Sequence, residues 1–124
     1  MPTLTQVQYV ELFHLLLLTH LEQTMDKRFH ALRGGCNFRF FFGSVRSSED
    51  IDFDVEKLDV EEVRSRVNRV LASKSFRQTL AVRDMEIEHV TEAKQTGTTQ
   101  RWKFGLLTPV SATPAPTKVE FSRR

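Results

Sequence analysis

The sequence predicts an α/β domain of the α+β kind, in which helices pack on one mixed β-sheet. Helical spacing of apolar residues occurs in two segments, and alternation of apolar and polar residues occurs in several others. Segments of the two kinds follow one another along the chain, which is the pattern of an α/β or α+β fold. With 124 residues, the chain suits a single domain over residues 1–124 with a modest apolar core.

The N-terminal half is predicted to begin with a long helix over residues 4–26. Its apolar residues recur at helical spacing at Leu4, Val7, Val10, Phe13, Leu17 and Leu21. Residues 12–18 are apolar on almost every side, so we expect cover by a partner, by self-association or by further sequence. The elements expected next are a short strand at residues 29–32, a short helix at residues 37–42 and a strand at residues 51–55.

The C-terminal half is predicted to contain one helix and the rest of the sheet. The helix covers residues 60–80, where valines recur on one face. The C-terminal strands, within residues 84–122, are predicted at residues 84–92, 101–107 and 117–122. A turn at residues 96–99 joins the first two strands, and small residues with prolines predict a loop at residues 111–116.

Composition narrows the range of functions and compartments. The formal net charge of +2 does not by itself require a nucleic-acid partner. The only cysteine, Cys36, excludes an internal disulfide and fits a reducing compartment. The apolar run at residues 12–18 is far shorter than the roughly 20 residues that span a bilayer. We therefore expect a cytoplasmic protein without a membrane partner.

Three alternating acids stand out in the glycine/acid box of residues 34–54, GGCNFRFFFGSVRSSEDIDFD. On a strand, Asp50, Asp52 and Asp54 would share one face. Carboxylates this close repel one another, and a hard divalent cation such as Mg²⁺ (or Mn²⁺) removes the conflict. A solvated polar strand face is the alternative interpretation.

The residues before the acids indicate that a phosphate group binds together with this cation. Gly34 and Gly35, just before the predicted short helix, permit close backbone approach and offer N–H groups to an anion, although a simple turn is the alternative. Hydroxyls and guanidinium forks suited to phosphate follow at Ser44, Ser48, Arg39 and Arg46.

The combination of diglycine, spacer and Asp-x-Asp strand resembles the signature of the minimal, DNA polymerase β-like nucleotidyltransferase superfamily. More narrowly, residues 46–53, RSSEDIDF, resemble the Arg-x-Ser-x-Asp-Leu/Ile-Asp-Phe/Leu box of the AbiEii/AbiGii-type toxins of abortive-infection and type IV toxin–antitoxin systems. The resemblance implies a nucleotidyltransferase-like fold in which Asp50 and Asp52 hold metal ions. It also implies that Gly35, Ser44 and Ser48 lie close to the nucleotide phosphates.

The superfamily uses a third carboxylate from a neighbouring strand, and Glu120 is the candidate here. Residues 117–122, TKVEFS, resemble the Lys-hydrophobic-Asp/Glu strand of the family. Strand alternation places Lys118 and Glu120 on one face. An exposed edge strand is the alternative interpretation, and Asp54 is a substitute candidate for the third acid.

The resemblance implies transfer of a nucleoside monophosphate from an NTP to a tRNA end or a protein hydroxyl by a toxin that has a cognate antitoxin. Metal ions held by such carboxylates support an in-line displacement, while Arg46 and Lys118 offset charge on the triphosphate. Toxins of this type continue into a helical region that the 124 residues lack, so we expect C-terminal sequence to be missing. The alternative is a truncated or degenerate domain that binds nucleotide or a partner protein without catalysis.

Overall fold

The computed structural model describes residues 4–24, 38–40, 50–55 and 59–122, with residues 38–40 and 50–55 described through their backbone. These residues form three helices and five strands, which are α1 (Gln6–Gln23), β1 (Phe38–Phe40), β2 (Asp50–Val55), α2 (Val60–Ala72), α3 (Lys74–Val82), β3 (Glu86–Gln95), β4 (Thr99–Thr108) and β5 (Ser111–Ser122).

The five strands form one mixed sheet in the order β1-β2-β5-β4-β3. β2 and β5 pair in parallel, and the other neighbouring pairs are antiparallel. The predicted α+β class is confirmed, as are strands in the regions 51–55, 84–92, 101–107 and 117–122. The strand predicted at residues 29–32 lies outside the described residues.

Helix α1 begins at a capping box and packs its apolar stripe on the sheet. The Thr5 hydroxyl accepts a hydrogen bond from the Gln8 backbone N–H, and the Gln8 side chain accepts one from the Thr5 N–H. The Phe13 ring is fully buried, with its centroid 5.2 Å from that of Phe104 on β4. Leu15, on the opposite side of α1, keeps 43% of its surface exposed. Self-association through α1 stays a prediction.

The two faces of the sheet differ in chemistry, as the alternation along its strands requires. Trp102, Phe104 and Leu106 of β4 and Val119 and Phe121 of β5 are buried in the core with the helices. The opposite face, which we call the charged face, carries Arg101 and Lys103 of β4 and Lys118 and Glu120 of β5. No helix in the described part of the chain is long and apolar enough to cross a membrane.

The single helix predicted over residues 60–80 is wrong, because Ser73 divides it into α2 and α3. Ser73 has an extended backbone with ψ of 130°. Its hydroxyl accepts a hydrogen bond from the Phe76 N–H and thereby caps the start of α3. The break turns Phe76 into the core, where it is fully buried and its ring lies 5.1 Å from that of His20.

The short helix predicted at residues 37–42 is also wrong where the structure describes it, because Phe38–Phe40 forms strand β1. This strand pairs antiparallel with the end of β2, and Arg39 lies in register with Asp54. Phe38, Arg39 and Phe40 also alternate apolar and polar, as residues on a strand do. Pairing with β2 favours the strand over the helix.

The loop predicted at residues 111–116 is the third error, because these residues are the first half of β5. Ala115 pairs with Leu106 and Pro116 pairs with Gly105 on β4. On the other side of β5, registered pairing with β2 begins only at Lys118. Proline cannot donate to a ladder, and it is tolerated where only one side of a strand is paired.

Two leucines of α1 provide a matched test of this packing. We expect Leu17→Ala, at a site 1% exposed, to lower the free energy of unfolding by about 2–5 kcal/mol, because it leaves a cavity in the core. Leu15→Ala, at a site 43% exposed, should change it by about 0.5 kcal/mol or less. Urea unfolding of both variants measures the difference, and equal losses would contradict the orientation of α1.

Buried His14 predicts a pH dependence of stability. Its Nε2 lies 2.7 Å from the Thr117 hydroxyl, and burial lowers the pKa of His14 from 6.5 to about 4. The native imidazole is therefore neutral at pH values where the unfolded chain already binds a proton. We expect the free energy of unfolding to fall as the pH drops from 6.5 to 4, by at most about 1.4 kcal/mol per pH unit from this residue.

Urea titrations at several pH values test this effect, with His14→Gln as the variant that cannot titrate. The wild-type chain should show the steeper loss of stability between pH 6.5 and 4. An NMR titration of the native imidazole gives the same answer if the variant folds poorly. A native His14 that titrates near pH 6.5 would contradict the prediction.

Candidate active site

The parallel pairing of β2 with β5 brings the acid box next to the C-terminal strand. Asp52 lies in register with Glu120, and Asp50 lies in register with Lys118. Neighbouring strands in a sheet are about 4.8 Å apart, and registered residues occupy one face. The strand that was predicted to supply a third carboxylate is therefore the immediate neighbour of the Asp-x-Asp strand.

The alternation predicted for β5 is confirmed. Val119 and Phe121 are 1% and 0% exposed on the side of the helices. Lys118 and Glu120 lie between them in sequence, on the charged face, and are half-buried. Trp102 packs edge-to-face on Phe121 at 5.5 Å between ring centroids and holds the strand against the core. The apolar side of β5 thus fixes the side on which Glu120 stands.

Glu120 makes a close ion pair with Arg101 on β4. The Arg101 Nε and Nη2 atoms both lie 2.7 Å from Glu120 Oε2. The two residues are in register across the antiparallel β4–β5 pair, and their side chains are 29% and 20% exposed. Charge assistance and the short distances make this a strong hydrogen-bonded pair for a half-buried position.

Arg101 was not predicted as a site residue. Alternation along β4 placed it on the polar side of its strand, and that was the only signal in the sequence. The pairing of Arg101 with Glu120 depends on the register between β4 and β5. Residues 111–116, which begin β5, were expected to form a loop, so this register could not be predicted. A pattern of period two contains no information on which residue of the next strand lies opposite.

The acidic residues of β2 and the basic residues of β4 are in register across β5. Asp50 and Asp52 lie on β2, whereas Lys103 and Arg101 lie on β4. Between them, β5 carries Lys118 in register with Lys103 and Asp50, and Glu120 in register with Arg101 and Asp52. Lys94 on β3 continues the cationic side, in register with Arg101. The strand order therefore places the acidic strand β2 and the basic strand β4 on either side of β5.

The remaining predicted site residues fall into two groups. Gly34, Gly35, Ser44, Arg46 and Ser48 lie outside the described residues.

Arg39 is described through its backbone, and it lies in register with Asp54 at the far side of β2 from β5. On β5, the residue in register with Asp54 is Ser122, not a carboxylate. This register favours Glu120 over Asp54 as the third acid of the Asp50 and Asp52 set.

The donor chemistry of this set fits a hard divalent cation. Carboxylate oxygens are the ligands that Mg²⁺ prefers, and Asp52 and Glu120 lie on adjacent strands in register. The Nε hydrogen bond and the Nη2 contact of Arg101 both end on Oε2 of Glu120. Among the residues whose side chains the structure describes, no group of three His, Cys, Asp or Glu residues could hold a metal ion.

Comparison with known proteins gives one family and two related structures. The family model described as "Nucleotidyl transferase AbiEii toxin, Type IV TA system" matches residues 16–124. The Helicobacter pylori protein JHP933 superposes with a TM-score of 0.61 at 18% identity, over 99% of this chain and 46% of that chain. No curated protein matches the sequence.

A second H. pylori structure, provisionally assigned as a nucleotidyltransferase, gives a TM-score of 0.60 at 18% identity, over 96% of this chain and 46% of that chain. At this identity the two structures establish a shared fold. The chain spans about half the length of each of them.

Proposed function

Because the chain belongs to the family of AbiEii nucleotidyltransferase toxins of type IV toxin–antitoxin systems, we propose that it transfers a nucleoside monophosphate from an NTP to a hydroxyl acceptor. The register of Asp52 with Glu120 on the parallel strands β2 and β5 carries this proposal. The acceptor oxygen bonds to the α-phosphorus, and the bond from that phosphorus to the β-phosphate bridging oxygen breaks. Pyrophosphate leaves, and the proton of the hydroxyl passes to solvent.

The carboxylates of Asp50, Asp52 and Glu120 would hold Mg²⁺, or Mn²⁺ in its place. Metal ions held there would supply positive charge where the attacking and leaving oxygens react. Lys118, in register with Asp50, would orient the triphosphate and offset its charge. In this proposal the carboxylates would bind the cations, and the lysine would bind the phosphates from the neighbouring strand.

The glycine-rich segment completes the proposed nucleotide site. Backbone N–H groups at Gly34 and Gly35, the hydroxyls of Ser44 and Ser48, and the guanidinium groups of Arg39 and Arg46 are proposed to bind phosphate. We propose a tRNA end or a protein hydroxyl as the acceptor, a cognate antitoxin as the partner, and the cytoplasm as the compartment, in line with the toxin–antitoxin family.

A domain that binds nucleotide or a partner protein without catalysis is the second candidate function. The observation that favours it is the Arg101–Glu120 ion pair, which already engages one oxygen of the proposed third acid. A purely structural pair on a half-exposed strand face would have the same geometry. Variants of the acids separate the two functions, since only the transferase depends on them for product formation.

We expect label from α-phosphate-labelled NTPs to pass to tRNA or to protein when Mg²⁺ is present. Asp52→Asn should reduce the transfer rate at least about 100-fold, because a carboxylate that holds the metal ions is lost. Asp54→Asn is the matched control, since it makes the same chemical change two residues further along β2, opposite Ser122. Its rate should change less than about 10-fold.

Glu120→Gln extends this experiment to the third acid. If Glu120→Gln loses label transfer and Asp54→Asn retains it, Glu120 is the third acid. If Asp54→Asn loses label transfer and Glu120→Gln retains it, Asp54 is the third acid. Tight NTP binding by the wild-type chain without any label transfer would favour the second candidate function. Each of the four nucleotides is offered separately, with total tRNA or with the chain's own hydroxyls as acceptors.

A further inference from the structure

We propose that Arg101 is a positioning residue that holds the Glu120 carboxylate in place for divalent cation binding. This inference rests on the proposed function, in which Glu120 is a metal ligand. It concerns a strand outside the acid box, since Arg101 lies on β4 and the acids lie on β2 and β5.

The position of Arg101 relative to Asp52 is the first argument. In the strand order β2-β5-β4, Glu120 lies between the two residues and is in register with both. Arg101 therefore holds the glutamate from the side opposite to the aspartate. A cation shared by Asp52 and Glu120 would be separated from the guanidinium group by the carboxylate itself.

The contact geometry is the second argument. Arg101 Nε donates a hydrogen bond to Glu120 Oε2 at 2.7 Å, and Nη2 lies 2.7 Å from the same oxygen, so both contacts end on one carboxylate oxygen. A glutamate side chain has several rotatable bonds, and fixing one oxygen removes most of its conformers before a ligand arrives. The arrangement restricts Glu120, and Oε1 is the oxygen that we propose for coordination.

The partial exposure of the Arg101–Glu120 pair distinguishes a role in cation binding from a role in folding stability. Ion pairs that are partly open to solvent contribute little to folding stability. Groups that bind and orient metal-ligating carboxylates, in contrast, change metal affinity or activity about 10- to 100-fold when they are removed. Arg101 should therefore affect cation binding far more than it affects unfolding.

The ion pair between Arg64 on α2 and Glu92 on β3 supplies a matched control. Arg64 Nε lies 2.8 Å from Glu92 Oε1, so the contact has the same type and nearly the same length. Neither residue belongs to the proposed site. Arg64→Gln therefore reports what the loss of such a pair does to the fold alone.

Direct Mn²⁺ binding tests the proposal on the full chain without a need for catalysis. Paramagnetic resonance of free Mn²⁺ gives the dissociation constant for wild type, Arg101→Gln, Arg101→Lys and Arg64→Gln, and thermal unfolding of each checks the fold. We expect Arg101→Gln to weaken Mn²⁺ binding about 10-fold. Arg101→Lys, which keeps the charge, should recover part of the affinity, and Arg64→Gln should match the wild type.

Four results would overturn the proposal. Unchanged Mn²⁺ affinity in Arg101→Gln would leave the ion pair as a structural contact, and tighter binding would make Arg101 a competitor of the cation. A raised KM for NTP at saturating Mn²⁺, with Mn²⁺ affinity unchanged, would place Arg101 in direct contact with substrate. A wild-type chain that binds no Mn²⁺ would also overturn it.

The same measurements distinguish this inference from the proposed function. If Asp52→Asn and Arg101→Gln both weaken Mn²⁺ binding but the wild type transfers no label, the transferase activity fails and the positioning role stands. If transfer and Mn²⁺ binding require Asp52 and Glu120 but are indifferent to Arg101, the activity stands and the positioning role fails.

Discussion

The parallel pairing between β2 and β5 is the constraint on which the rest of the structure depends. It joins an N-terminal acid strand to the C-terminal strand, with two helices and a β-hairpin between them in sequence. Parallel strands cannot be joined by a tight turn, so the connection must cross the sheet through other elements. Helices α2 and α3 and strands β3 and β4 form this connection, and they also supply the core that holds β5 in register.

Burial on one face of β5 decides what the other face presents. Val119 and Phe121 are enclosed by the core, and Trp102 packs against Phe121 from the neighbouring strand. A shift of one residue in the register would bury Lys118 and Glu120 and expose the apolar residues, at a large cost in free energy. The hydrophobic core therefore specifies the position of the polar site residues, although it makes no contact with a ligand.

Several local features followed from the sequence because their causes lie within a few residues. The alternation along β4 predicted buried Trp102 and Phe104. Helical spacing predicted the apolar series of α1, of which the members from Val10 to Leu21 are buried, whereas Leu4 and Val7 at its start are exposed. The errors arose where tertiary contacts decided between two local options. Ser73 could continue a helix or cap a new one, and burial of Phe76 favoured the cap. The proline-bearing residues 111–116 could form a loop or a strand, and β4 offered them a ladder.

The candidate site divides in the same way. By itself, the sequence determined the family, the acid box and the polar face that Lys118 shares with Glu120, because motif spacing and alternation are properties of consecutive residues. Only the tertiary structure decided that Asp52 lies beside Glu120, that Asp54 lies beside Ser122 instead, and that Arg101 holds Glu120 from β4. The reason is that register between strands distant in sequence depends on how the whole apolar core packs, which no local period encodes.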